Sequence, residues 1–195
     1  MKFVRIGMAA VIICSVLIGS TAKANVFEHF PDVPYDADYA EVVNTLAELG
    51  IVKGDDYGNY NPDSTITRAE FATMMCRLLG VEDEALAIMS SSFSDVPAGH
   101  WAVGYVAKAA ELGLVSGYGD GRFGPADTLT YEQAVAVIIR AFEYPEELIE
   151  SFGGWPYGYI TIAMNAGALD NVSGTLSQPI IRISVATIIH NMLTL

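Results

Sequence analysis

Phe30-Pro-Asp-Val-Pro34 returns 63 residues later as Phe93-Ser-Asp-Val-Pro97, and that repetition decides how the rest of the chain is read. The same offset carries Leu49-Gly50 onto Leu112-Gly113, Gly54 onto Gly117, Gly58 onto Gly121, Tyr60 onto Phe123, Pro62 onto Pro125 and Thr67 onto Thr130. An offset held through two loops and two apolar segments marks a repeated supersecondary unit, and repeated units build repeated surface sites.

Working outward, each copy reads as helix, glycine-rich loop, helix. In the first, Tyr39, Val42, Val43, Leu46 and Leu49 predict a helical apolar stripe, and Gly50 stands where a left-handed cap belongs. After the polar loop 54–62, Thr67-Arg-Ala-Glu70 has the spacing of a capping box. It opens a second helix with Phe71, Met74, Met75, Leu78 and Leu79 on its apolar side, ended by Gly80. In the second copy Trp101, Tyr105, Val106, Ala109 and Leu112 predict the first helix, and Thr130 with Gln133 cap the second. Pro145 closes that helix. A fainter third copy lays Ala163–Gly167 on Ala109–Gly113 at an offset of 54, and puts Arg182 in the slot of Arg68. There Ile181 and Ser184 replace the capping pair. Losing an N-cap hydroxyl costs ~1 kcal/mol, so this helix leans on the packing of Ile183, Val185, Ile188, Ile189 and Leu193. The segments between copies start with Glu82-Asp83-Glu84 and Glu146-Glu147 and read as short helical linkers. No strand-like alternation of useful length appears. The expected fold is all-α.

The first 24 residues read as a signal peptide. Lys2 and Arg5 form a basic start, Ile6–Gly19 an apolar stretch too short for a membrane span, and Ala22-Lys23-Ala24 a cleavage site. Cys14 follows Ile13, where lipid-attachment motifs have a small residue. The mature chain is expected to begin at Asn25, exported and without a membrane span. The net charge of −13 becomes −16 when Lys2, Arg5 and Lys23 are removed. Nucleic acid needs a basic footprint, so that partner class is excluded. Cys76 is then the single cysteine; it sits among Phe71, Met75 and Leu79 and reads as a small buried apolar residue. The expected layout is a signal peptide at 1–24, units at 25–80, 93–144 and 155–195, and linkers at 81–92 and 145–154.

These residues resemble the S-layer homology family. The resemblance rests on Phe93-Ser-Asp-Val-Pro-Ala-Gly-His-Trp-Ala102, Gly113-Leu-Val-Ser-Gly117 and Asp120-Gly-Arg-Phe-Gly-Pro125 in the second unit. In the first it rests on Gly50-Ile-Val-Lys-Gly54 and Ile66-Thr-Arg-Ala-Glu-Phe71. It implies three tandem repeats in a pseudo-threefold bundle that binds cell-wall polysaccharide, often pyruvylated, in grooves between repeats. That would hold a protein on the cell wall. The departures are Thr130-Tyr-Glu-Gln133 and Ile181-Arg-Ile-Ser184 where the family has T-R-A-E, Trp155-Pro-Tyr-Gly158 at the start of the third unit, and Tyr35–Ala40 in place of a His-Trp pair.

Arg68 is the leading candidate for binding an anionic sugar. A cation at a first helical position is unfavourable by ~0.3–1 kcal/mol unless an anion joins it. A carboxylate held by the guanidinium fork together with helix N-terminal amides would relieve that cost; a salt bridge to a neighbouring acid is the alternative. Arg182 shares the slot. Trp101 either stacks on a pyranose face or packs the repeat core. Gly117, Tyr118 and Asp120 contribute the loop of the second unit, and Asp95 is expected to cap the turn into the Trp101 helix. No cofactor or metal is expected. A calcium loop counted from Asp55 puts Tyr57 at position 3 and Ile66 at position 12, and His29, His100, His190 and Cys76 lack zinc-ligand spacing. No nucleophile elbow, phosphate loop or histidine-centred set is present, so an enzyme is not expected. The rival function is a structural surface-layer or protein-interaction module with degraded glycan sites.

Overall fold

Acidic residues at helix starts and left-handed glycines at helix ends cut this chain into short helices. The computed structural model describes residues 30–195. Its helices are α1 (Ala40–Glu48), α2 (Arg68–Leu78), α3 (Glu82–Ala87), α4 (Val103–Glu111), α5 (Tyr131–Ala141), α6 (Glu146–Ser151), α7 (Tyr157–Asn165) and α8 (Arg182–Leu193). Among the described residues there is no strand, only three isolated antiparallel bridges, so the fold is all-α. The expected signal segment, its cleavage after Ala24, and His29 lie outside the described residues.

Gly50, Gly113 and Gly167 stop α1, α4 and α7 with φ of +72°, +70° and +76°, a region other residues enter only with strain. The capping box of α2 forms: Thr67 N–H donates to Glu70 Oε2 at 2.8 Å, and Glu70 N–H to Thr67 Oγ1 at 3.3 Å. At α5 the pair is disposed the same way, and Thr130 N–H donates to Gln133 Oε1 at 3.1 Å. The buried Thr130 hydroxyl, however, has no partner within bonding geometry. The linkers are the short helices α3 and α6, each opened by its acids.

Three backbone bonds tie the units into a closed cycle. Ile66 N–H donates to Ile180 O (3.3 Å), Ile180 N–H to Leu129 O (3.0 Å) and Leu129 N–H to Ile66 O (3.0 Å). Next to it, the first amide of each unit's second helix donates to the loop of another unit. Arg68 N–H meets Asp127 O at 2.9 Å, Tyr131 N–H meets Gln178 O at 3.0 Å and Arg182 N–H meets Ser64 O at 2.9 Å. The helices follow the same cycle, α2 packing on α4, α5 on α7 and α8 on α1. The uncapped start of α8 is therefore satisfied by its neighbour, and Ile183 N–H adds a bond to Pro62 O at 3.0 Å.

The core is built by these second helices. Phe71 and Met75 from α2, Val135, Ile138 and Ile139 from α5, and Val185, Ile188 and Ile189 from α8 are fully buried in one cluster with Val43 and Leu46. Burial of each such side chain contributes about 1.5–3 kcal/mol relative to exposure. The opposite face of α2 (Ala69, Ala72, Cys76) closes a second cluster with Val103, Val106 and Ala109 of α4. Cys76 is buried as expected; burial pushes its thiol up to about 11.

Two expectations need correction. Leu49 and Leu112 are not stripe residues but exposed C-caps. Trp101 precedes α4 and is 61% exposed, so it does not pack the repeat core. The glycine that shapes the first helix of each later unit went unread. At Gly104 a Cβ would collide with the Ala85 carbonyl of α3, and at Gly158 with the Ile149 carbonyl of α6. Both linker helices lie directly against these glycines.

Candidate functional site

The site follows from where the second-helix amides point. Because Arg68 N–H and Ala69 N–H bond to Asp127 O and Pro125 O, the first turn of α2 is pressed against the 116–127 loop of the second unit. Arg68 Nε–H donates to Phe123 O at 2.9 Å, and a terminal nitrogen donates to Ser116 O at 2.7 Å. Its guanidinium carbon lies 4.5 Å from the Phe123 ring centroid and 5.1 Å from that of Tyr118. Tyr118 is half-exposed, and its hydroxyl donates to Asp127 Oδ2 at 2.8 Å. Partial burial, and then that bond, hold the Tyr118 phenol above its ordinary pKa.

This geometry revises both sequence readings of Arg68. Among the described residues Arg68 forms no ion pair, which removes the salt-bridge alternative. The helix amides expected to share an anion with it are already bonded to loop carbonyls. The charge is steadied instead by two carbonyls and two aromatic faces, and these occupy two of its five N–H groups.

The construction is repeated at Arg182. Its Nε–H donates to Tyr60 O at 2.8 Å, a terminal nitrogen reaches Lys53 O at 3.4 Å, and its carbon lies 5.1 Å from the Tyr60 ring centroid. Lys53 and Tyr60 are the residues 63 positions before Ser116 and Phe123. One difference is plain: the position of Tyr118 is taken by Asp55, which is folded back on its own loop.

In the remaining junction Tyr131 occupies the arginine slot. It is buried, burial raises its phenol pKa, and a Cβ on Gly174 would collide with its ring. Glu132 Oε2 accepts from Ser177 N–H at 2.9 Å and binds the third-unit loop to α5. This junction carries a phenol and a carboxylate where the other two carry a guanidinium.

The Phe-x-Asp-Val motifs hold the loops that the arginines use. Asp95 Oδ1 and Oδ2 accept from Phe123 N–H and Gly124 N–H, both at 2.8 Å. Asp32 does the same for Tyr60 N–H (2.8 Å) and Asn61 N–H (2.6 Å). Asp95 therefore clamps the loop and does not cap the turn into α4 as expected. Burial alone would raise its carboxyl, yet the two N–H donors outweigh that and its pKa lies below the ordinary value. Phe93 leans on Phe123 at 5.3 Å between centroids, as Phe30 does on Tyr60 at 5.5 Å.

The other expected site residues have their own partners. Trp101 stacks on His100 at 5.8 Å. Asp120 is paired with Arg122 at 2.8 Å and accepts the Arg122 N–H at 3.0 Å. Gly117 lies against Phe93 and the Arg122 carbonyl, where a Cβ would not fit. A shallow groove of about 300 Å³ lined by Ser92, Phe93, Gly117, Gly119, Gly121 and Arg122 runs along the same loop without reaching Arg68. Its one cation is already paired with Asp120, whereas Arg68 forms no ion pair among the described residues. Sequence reading missed Ser116, Phe123, Asp127, Lys53 and Tyr60. The signal was present, since the 63-residue offset relates Ser116 to Lys53 and Phe123 to Tyr60, as the arginine slots require.

A family model described as the S-layer homology domain matches residues 29–72 and 92–135. The chain is similar to a cell surface protein of Thermoanaerobacter kivui, with 37% identity over 166 residues, covering 84% of this chain and 21% of that protein. It is also similar to a middle cell wall protein of Brevibacillus brevis, at 37% over 145 residues (74% of this chain, 13% of the relative). A surface layer protein of Brevibacillus choshinensis matches at 35% over 154 residues (78% and 13%). The chain thus spans about a fifth or less of the length of these relatives. Among the described residues no helix is long and apolar enough to cross a membrane.

Proposed function

We propose that this chain, which carries two S-layer homology domains at residues 29–72 and 92–135, is a non-catalytic module that fastens a protein to the cell surface. It does so by holding an anionic secondary cell-wall polysaccharide in the junctions between units. Residues 155–195 act as a third, degenerate repeat that completes a pseudo-threefold bundle, and residues 1–24 direct export. The names of the three similar proteins given above, a cell surface, a middle cell wall and a surface layer protein, support the location.

The observation that carries the reading is an arginine fixed in place that, among the described residues, forms no ion pair. Arg68 is oriented by Phe123 O and Ser116 O and lies against the faces of Phe123 and Tyr118, leaving three N–H groups uncommitted. A guanidinium held this way has already lost its rotamer freedom, so a carboxylate gains charge-assisted bonds with little ordering cost. A pyruvyl ketal on a sugar supplies such a carboxylate beside hydroxyls. Tyr118 is placed to offer its ring or hydroxyl to the sugar, while Asp127 accepts from a sugar O–H. Arg182 provides a second, weaker position with the Tyr60 ring but without the second ring that Tyr118 supplies. Gly117 and Asp120 shape the loop, and Trp101 extends the surface for a longer chain of sugars.

Co-sedimentation of the protein with purified wall sacculi, native or stripped of secondary polysaccharide, tests this. Native sacculi should bind saturably and stripped ones should not. Arg68→Ala should weaken binding about 10–100-fold, and Arg68→Lys should recover only part of it because the fork is lost. Undiminished binding to stripped sacculi would sink the reading.

A further inference from the structure

The second and third units carry the same pair of elements, a short linker helix lying across the first helix, but finish its outer surface differently. The superposition is fixed by the close approaches already described: Ala85 faces Gly104, and Ile149 faces Gly158. That places Lys108 over Ile162, Glu84 over Leu148 and Glu111 over Asn165. In the second unit Lys108 bridges Glu84 at 2.7 Å and Glu111 at 3.2 Å, an ionic trio with the acids in water. The bond to Glu84, then that to Glu111, raises the lysine pKa.

In the third unit the corresponding residues are Leu148, Ile162 and Asn165, and no trio can form. With Tyr144, Phe152 and Ala166 they line a groove of about 180 Å³ between α6 and α7. Leu148 is 38% and Phe152 42% exposed, and Ile162 forms part of the lining. On and just before α6, Glu143, Glu146, Glu147 and Glu150 are exposed, and among the described residues none of them forms an ion pair. An apolar groove walled by an acidic helix, where a sister unit keeps a solvated ion network, has the character of an interface and not of a wetted face.

We propose that the α6–α7 groove docks a protein segment that inserts one large apolar side chain flanked by lysine or arginine. The unpaired negative charge of α6 selects this occupant. A second copy of this chain, itself net −13, would bring acid against acid. An anionic lipid surface would be repelled in the same way.

The test uses labelled synthetic amphipathic peptides read by fluorescence anisotropy. One set carries a leucine, phenylalanine or tryptophan anchor between lysines, and matched sets replace the lysines by glutamate or the anchor by serine. At least one lysine-flanked peptide should bind saturably, about tenfold or more tighter than its glutamate or serine counterparts. Leu148→Glu/Ile162→Lys/Asn165→Glu rebuilds the second-unit trio, so it should fold and lose that binding by about tenfold or more. Leu148→Glu alone serves if the triple variant is misfolded by circular dichroism, and Arg68→Ala should leave peptide binding unchanged. No binding by any lysine-flanked peptide would overturn the proposal, as would equal binding by the variants. Self-association in sedimentation velocity that the triple variant abolishes would assign the groove to a second copy instead, and vesicle binding that it abolishes would assign it to lipid.

Discussion

The junction closed by Arg68 and the junction closed by Tyr131 begin from the same backbone bond, a first-turn amide given to a neighbouring loop carbonyl. They end with opposite chemistry. At Arg68 the loop, held by Asp95, presents two carbonyls and two rings to a guanidinium. At Tyr131 the loop comes down on the ring at Gly174 and is tied by Glu132. The fold is held by the shared amide, while one side chain and one clamp decide whether a junction stays open. The atoms that join the units and the side chains that line each junction are thus different, and one set can change while the other persists.

The sharpest way to break this contrast is to remove the clamp. Asp95→Ala leaves Phe123 N–H and Gly124 N–H without their acceptor and is expected to destabilise the protein by about 2–3 kcal/mol in urea unfolding. It should also lower sacculus binding, since the carbonyl that orients Arg68 belongs to Phe123. A wild-type midpoint would show that the loop holds without it. Second in size, Gly174→Ala puts a methyl into the Tyr131 ring and should cost about 1–3 kcal/mol, while sacculus binding at Arg68 stays unchanged. Lost binding would mean that the closed junction also takes part in recognition.

A smaller effect separates the helix contacts behind the two junctions. Glu82 accepts from Arg77 Nε (2.8 Å), Tyr105 Oη (2.8 Å) and Lys53 Nζ (3.3 Å), whereas the corresponding Arg140 meets Tyr159 Oη at 3.1 Å. The Arg77 bond is the main reason that the Glu82 carboxyl is lowered from 4.5 to about 2. A depressed folded-state value adds stability above the unfolded pKa, and that stability is lost as pH falls from about 4.5 towards 2. Glu82→Gln should therefore cost about 1–2 kcal/mol at pH 7 and close to nothing near pH 2, read as thermal midpoints at both values. A gap that does not shrink on acidification would show that the carboxylate charge is not what joins α2 to α4. Smallest of the four, Arg140→Ala should cost about 0.5–1 kcal/mol with no such pH dependence.

Much of the fold was legible because local chemistry and tertiary structure agree. Gly50, Gly80 and Gly113 stop helices where the pattern put them, and Thr67 with Glu70 caps α2 as their spacing requires. Leu49 and Leu112 misled because a residue can continue a helical period after the chain has turned away from the core. The linking bonds were not readable, since a backbone amide leaves no trace in side-chain identity. That is also why the helix N-terminus beside Arg68 looked free for an anion when its amides were already occupied. Asp95 was misplaced for a related reason: its partners lie 28 and 29 residues away, beyond any local rule. The arginine positions were visible, but their open or closed surroundings depend on how far each loop descends.

The cycle of bonds through Ile66, Leu129 and Ile180 has a topological consequence. A row of stacked modules has two outermost members, and shortening it by one leaves a smaller row. A loop of three has no outermost member. Deleting the chain from Ile180 through α8 would strip α1 of its packing partner, free the Ile66 amide and empty the Arg182 position, although α1 and α8 stand at opposite ends of the described chain. A shortened fragment is therefore not a lesser form of this molecule but an opened one, and the weakest unit in sequence is as necessary to closure as the strongest.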